Sequence, residues 1–286
     1  MLMNGNELLA VAKKNNFAIP AFNISDWAMF KGVIEISEEL NAPVIIAIHP
    51  DELGHTGDDI MPAIIQRCHK STVPTIVHFD HGTTYEQCIW AIQAGFTSIM
   101  IDGSLLPVEE NIAITKKVVD AAHAVGISVE GELGTIGQND SYGEAGAAEI
   151  IFTDPEDAVK FIQTTGVDSL AIAIGTSHGL YPAGMNPKLE IDLLKVIKSK
   201  VDVPLVLHGG SGNPDSEIAQ GVEHGVNKIN ISSDIKVSYH DKMREVLSNP
   251  KLREPNAIQP ACVAAMKVTA AHKIKLFKAD GKASLY

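Results

Sequence analysis

Residues 205–231 read LVLHGGSGNPDSEIAQGVEHGVNKINI. Two short apolar runs, Leu205–Leu207 and Lys228–Ile231, bracket a glycine-rich turn and an amphipathic middle. Asn213 followed by Pro214 has the form of a helix N-cap with proline at the first helical position. The stretch is therefore one strand–helix–strand unit, the connection that joins parallel neighbours. Six further runs have the same short, apolar character: 18–22, 44–48, 75–79, 98–101, 128–132 and 169–174. Pro43, Pro74 and Pro204 sit at or just before strand starts, where a missing N–H is tolerated. Eight such strands alternating with helices predict an α/β fold, with a (β/α)8 TIM barrel as the leading architecture and a doubly wound open sheet as the alternative.

The helical stretches carry their own signals. Ser25 and Asp26 are placed to cap a helix running to Leu40, and Thr83 or Thr84 to start one ending near Gly95. Residues 111–124 have a helical apolar period. Asp154-Pro155 is a second cap-plus-proline pair, with Asp157 continuing an acidic first turn. Residues 260–277 read as a long terminal helix, giving one barrel domain over 1–286 with a C-terminal helical extension. The polar, glycine-rich stretch 134–146 reads as a mobile loop after the fifth strand, the kind of segment that carries function.

The 286 residues suffice for one barrel, and an apolar fraction of 45% with 20% charged residues is globular. Aromatics are only 5%, so the core must rest on aliphatic side chains, which suits parallel strands buried on both faces. The net charge of −12 and the lack of a basic run give no case for nucleic acid or an anionic membrane as partner. The three scattered cysteines, Cys68, Cys88 and Cys262, point to free thiols in a reducing compartment. No signal peptide or membrane span is expected, so the predicted location is cytoplasmic.

Three histidines stand out by position. His81 follows the third strand in His78-Phe79-Asp80-His81-Gly82, His178 follows the sixth in Gly175-Thr176-Ser177-His178-Gly179, and His208 ends the seventh. In a barrel all three reach the C-terminal mouth, where such enzymes keep their active sites. Three histidines with an open fourth position form a catalytic zinc arrangement. The other histidines lack this context, except that His78, one period off the core face, could support the site. Asp80 is either an inward acid/base or a strand-end cap, since alternation puts it opposite His81 unless the strand is already turning. Asp102 and Glu132, at the ends of the fourth and fifth strands, could bind a second cation, orient a ligand histidine, or be solvated. Asp140 sits in the glycine-rich loop, where an ordinary turn acid is equally natural. Gly209-Gly210-Ser211-Gly212 and Asn230-Ile231-Ser232-Ser233-Asp234 follow strands seven and eight, the usual phosphate position of this fold.

These strings resemble the class II, zinc-dependent ketose-bisphosphate aldolases, the family of fructose- and tagatose-bisphosphate aldolases. The likeness runs from Ala18-Ile19-Pro20-Ala21-Phe22-Asn23 to about Ser233. It includes Asp80-His81, Val129-Glu130-Gly131-Glu132-Leu133-Gly134, residues 173–179, residues 207–212 and Lys228-Ile229-Asn230-Ile231. It implies a closed barrel that cleaves a ketose (bis)phosphate to dihydroxyacetone phosphate and an aldehyde through a zinc-stabilised enediolate. His81, His178 and His208 would be the zinc ligands, with Asp102 and Glu132 near a second cation position. Asp80 would handle the C4 hydroxyl proton and Asp140 the C3 proton, although the family usually has Glu at the latter. The implied substrate contacts are Asn23, Gly179, Gly209, Gly210, Ser211, Asn230, Ser232 and Ser233. A phosphorylated sugar is the implied partner, and a homodimer or homotetramer the implied assembly. A different metal-dependent barrel hydrolase and a non-catalytic sugar-phosphate-binding barrel are the competing readings.

The chain also departs from that pattern. His49 follows the second strand where a small hydroxyl residue is usual. Leu180-Tyr181-Pro182-Ala183 replaces a stretch that often carries a lysine, and Ser232 replaces Asp or Ala. No arginine matches the one that holds the distal phosphate; Arg244 and Arg253 are unaligned substitutes. The aldehyde half is therefore expected to differ from glyceraldehyde 3-phosphate.

Overall fold

The computed structural model describes residues 1–139, 149–182 and 184–286. Among these, eight strands close a parallel barrel: β1 (Ile19–Asn23), β2 (Val44–Ile48), β3 (Thr75–Gly82), β4 (Ser98–Ile101), β5 (Ser128–Leu133), β7 (Ser169–Ile172), β9 (Leu205–Leu207) and β10 (Val226–Ile231). Two short strands, β6 (Gly137–Gln138) and β8 (Ser177–His178), pair only with each other. Closure lies in the β1–β10 pairing, with Ala21 opposite Asn230, and this excludes the open sheet. Every barrel-strand residue is buried, as expected where each strand has a core on one face and a helix on the other.

The helices are α1 (Gly5–Asn15), α2 (Trp27–Glu39), α3 (Pro50–Thr56), α4 (Met61–His69), α5 (Tyr85–Ala94) and α6 (Val108–His123). They continue with α7 (Pro155–Thr165), α8 (Ile191–Lys200), α9 (Asp215–Glu223), α10 (Ser233–Val246) and α11 (Pro255–Leu276). The caps at Asp26, Thr84 and Asp154 form, each side chain accepting first-turn N–H groups. Asn213 does not cap α9; its amide donates instead to Gly209 O at 2.7 Å and Ser211 O at 3.1 Å, bracing the glycine-rich turn. The terminal helix begins at Pro255 rather than Pro260, which the helix absorbs in its second turn. Helix α11 packs on α10 and α2. At the N-terminal end of the barrel, Gly5 N–H donates to Ser128 Oγ at 2.9 Å, so α1 sits across that end. Tyr286 Oη donates to Leu8 O at 2.8 Å and ties the last residue to α1.

Strand alternation sets two polar layers inside the barrel. The lower holds His78, Glu130 and Lys228; two residues further on, the upper holds Asp80, Glu132 and Asn230. All six are at least 97% buried, so each must find a partner inside. The upper layer opens at the C-terminal mouth.

Asp154 is the clearest local anchor, accepting from Glu156 N at 2.8 Å and Asp157 N at 3.1 Å, and it lines neither opening beside the histidines. Asp154→Ala should lower unfolding free energy by about 1 kcal/mol in denaturant titration, with kcat unchanged.

Candidate active site

The end of β3 sets the geometry. Phe79 pairs with Ile99, but Gly82 pairs with Ile101, so three steps on β3 match two on β4. His81 takes up the extra residue in a left-handed conformation, φ 53°. Such a bulge re-aims side chains that alternation would oppose. Asp80 and His81 consequently both serve the mouth.

Asp80 is fully buried and held from two strands. Asn23 Nδ2 donates to Oδ2 at 2.8 Å, and Asn230 Nδ2 to Oδ1 at 3.0 Å and Oδ2 at 3.1 Å. Burial pushes the carboxyl up, but the positive groups around it, His81 first and then Lys228, outweigh burial and hold it well below the usual range. It is an ionised carboxylate, not a strand-end cap.

His81, His178 and His208 each offer a ring nitrogen within 4.8 Å of the others. Hydrogen bonds identify two of those atoms. His81 Nδ1 is bonded to Asp102 Oδ2 at 2.9 Å, and His208 Nε2 to Glu130 Oε1 at 2.8 Å. Each carboxylate claims the ring proton, leaving a lone pair on the opposite nitrogen. Those two nitrogens, His81 Nε2 and His208 Nδ1, lie 2.9 Å apart. Two lone pairs at that distance repel unless a proton or a metal cation lies between them. Burial opposes a charge on His81, but Asp80 and then Asp102 outweigh it and raise its proton affinity well above normal. The donor set thus fits a divalent cation, as does its three-imidazole chemistry.

His178 reaches the group from outside the barrel strands. Its strand β8 is held by the ladder to β6, and Asn139 N–H donates to His178 O at 2.9 Å. The start of the loop after β5 is thereby tied to the third histidine.

Asp102 orients His81 rather than standing as a solvated strand end. Glu132 is buried, and its Oε2 has no partner among the described residues. Burial, reinforced by Asp102, raises its pKa well above normal. His81, Asp102 and Glu132 form a second cluster within 4.8 Å, adjoining the first through their shared histidine.

Beneath lies a network of which the sequence pointed only to His78. Lys228 Nζ donates to both Glu130 oxygens, at 2.8 and 2.7 Å, and to His78 Nε2 at 3.2 Å. Burial, then Lys228, lowers His78 to about 3, so it is neutral, with Nδ1 bonded to Ser98 Oγ at 2.8 Å. Burial pushes Glu130 up, but Lys228 first, together with His208 and His78, outweighs it, and the carboxylate stays ionised to hold His208. The signal was present: Lys228 is a charge in an apolar, doubly buried strand and so demands a counter-ion.

A cleft beside His178 is lined by Gly179, Gly209, Ser211, Asn230, Ser232 and Ser233. The last two start α10, whose first-turn N–H groups favour an anion. A Cβ on Gly209 would approach Ser177 O to 2.6 Å at φ 63°, so no other residue fits easily. Gly210 lies behind this face, its N–H bonded to Asn230 O at 3.1 Å. Asn23, too, is outside the lining and acts on Asp80. Asp140 lies outside the described residues.

On the other side of the histidines is a cavity of about 460 Å³. His49 lines it, its Nδ1 accepting Asp51 N–H at 3.1 Å, and its ring lies 5.9 Å from that of His81. Arg244 and Arg253 do not line it; they are exposed and paired with Asp241 and Glu254.

The residue pattern of the class II fructose-bisphosphate aldolases matches residues 3–282. The chain belongs to the class II fructose-bisphosphate aldolase family. It is 37% identical over 287 aligned residues to a fructose-bisphosphate aldolase of Staphylococcus aureus, covering 99% of both chains. The crystal structure of the YdjI aldolase of Escherichia coli K12 superposes with a TM-score of 0.88 at 37% identity, covering 99% of this chain and 100% of that one. A fructose-bisphosphate aldolase structure from Campylobacter jejuni, 22% identical with a TM-score of 0.81 over 98% of this chain and 96% of that one, shares the fold. The chain is accordingly an aldolase, a carbon–carbon lyase of a metal-dependent family that acts on phosphorylated ketoses. Among the described residues, no helix is long and apolar enough to cross a membrane.

Lys228→Met would strand Glu130 as an uncompensated buried charge. It should cost about 3–5 kcal/mol in denaturant unfolding. Adding Glu130→Gln should recover part of that loss, so that the double variant is more stable than additivity allows.

Proposed function

We propose that this barrel is a zinc-dependent aldolase that releases dihydroxyacetone phosphate from a ketose phosphate. The facing nitrogens of His81 and His208 carry the reading. With His178 they form a group that could hold a metal ion, beside an ionised carboxylate and an anion-binding turn.

His81, His178 and His208 would hold the zinc. Bound there, it supplies Lewis-acid polarisation of the substrate ketone. Gly179, Gly209, Ser211, Ser232 and Ser233 would hold the C1 phosphate with backbone N–H groups and hydroxyls, which suits a protein of net charge −12 with no long-range attraction for anions. Asp80 would accept the C4 hydroxyl proton as the C3–C4 bond breaks. Asn23 and Asn230 aim that carboxylate, and the Oδ1 atoms of both are buried without a partner among the described residues. Asn230 also lines the phosphate cleft and so links anion binding to proton transfer. Glu132 and Asp102 would accommodate a second cation or an alternative metal position. Asp140 would return the C3 proton from the loop. The protein would work in the cytoplasm as a homodimer or homotetramer.

Chelation should reduce release of dihydroxyacetone phosphate to background, and added zinc should restore it. Asp80→Ala should lower kcat by about 10²–10⁴-fold while zinc content, measured by atomic absorption, stays at wild-type level. Full turnover in that variant would remove Asp80 from the proton path.

A further inference from the structure

The histidine cluster has open space on two sides, and His178 lines both. One side is the anion-binding cleft. A ketose phosphate anchored there by its C1 phosphate must run past the histidines into the cavity of about 460 Å³. That cavity therefore receives the carbons that leave as the aldehyde.

Its chemistry differs from that of the cleft. The described lining contains Asp51, Asp102 and Glu132 and no lysine or arginine. Lys236, which reaches that wall through Glu52, is already committed. Lys236 is bonded to Glu52, the same carboxylate that accepts the His49 N–H at 3.2 Å. A second phosphate placed at the outer wall would give up water and face the Asp51 carboxylate, with no lysine or arginine in the described lining to offset either cost. The lining does offer Gln87, Ser104 and the His49 imidazole beside exposed leucines. Such groups exchange hydrogen bonds with sugar hydroxyls. The volume is within the roughly 300–1,000 Å³ typical of small-molecule sites, and so has room for an aldehyde longer than three carbons.

We propose that this cavity takes an uncharged, polyhydroxylated aldehyde, so that the preferred substrate is a ketose 1-phosphate rather than a bisphosphate; the inference rests on the aldolase reading above. The two ends of the site then divide the recognition. The cleft at α10 reads the one phosphate, and the acidic cavity rejects another.

The test uses the zinc-loaded enzyme and matched pairs: fructose 1-phosphate against fructose 1,6-bisphosphate, and the tagatose pair likewise. Release of dihydroxyacetone phosphate gives kcat/KM, and calorimetry on the zinc-loaded Asp80→Ala variant gives Kd. The monophosphate of each pair should be favoured by about tenfold or more in both measures. Asp51→Lys should move the ratio toward the bisphosphate by about tenfold. Equal or better use of the bisphosphates, or a ratio that Asp51→Lys leaves unchanged, would overturn the proposal and leave the aldolase intact. Failure to cleave any ketose phosphate would overturn the aldolase reading itself, and this proposal with it.

Discussion

Two imidazole nitrogens, His81 Nε2 and His208 Nδ1, face each other 2.9 Å apart at the mouth of the barrel. They cannot turn away, because Asp102 holds the far nitrogen of His81 and Glu130 holds that of His208. A positive charge between them, a proton or a metal cation, is thus a requirement of the fold. The requirement reaches downward as well. Glu130 stays ionised in a buried layer chiefly because Lys228 donates to both of its oxygens, with His208 assisting. The cation demand at the mouth and the ion pair in the core are one connected electrostatic arrangement.

Barrel closure makes this arrangement from residues far apart in sequence. His81 and His208 are 127 positions apart, and Lys228 and Glu130 are 98. Alternation stacks Glu130 under Glu132, His78 under Asp80 and Lys228 under Asn230, so the charged lower layer lies one strand period below the working layer. One irregularity is needed. Without the bulge at the end of β3, Asp80 and His81 would point to opposite faces; with it, His81 adopts a φ of 53° and both serve one site. Strain of this kind persists where the surrounding structure over-determines it, here through Asp102 and the neighbouring histidines.

Much of this was legible in the sequence. Strand periodicity located all eight barrel strands to within a few residues, because doubly buried strands are short apolar runs set off by turns. Three histidines at strand ends beside glycines marked the mouth. Closure was not legible from periodicity, since pairing of β1 with β10 is a long-range contact; the family resemblance supplied it. The role of Asp80 depended on a bulge that no local pattern announces. Glu130 and Lys228 were quoted within motifs but not assigned, although a lysine in a buried strand implies a counter-ion. Asn213 resembled a helix cap by its proline neighbour, but the glycine turn offered its amide nearer carbonyls. Pro260 resembled a helix start, but Pro255 already filled that position and the packing of α11 on α10 and α2 carries the helix past the later proline.

The central claim is that one cation sits between defined nitrogens. Anomalous diffraction from zinc-loaded crystals at the zinc absorption edge tests it most directly. A strong peak is expected within bonding distance of His81 Nε2, His208 Nδ1 and the His178 ring. A strong peak elsewhere with none at this position, or zinc bound through His81 Nδ1 with Asp102 displaced, would contradict it.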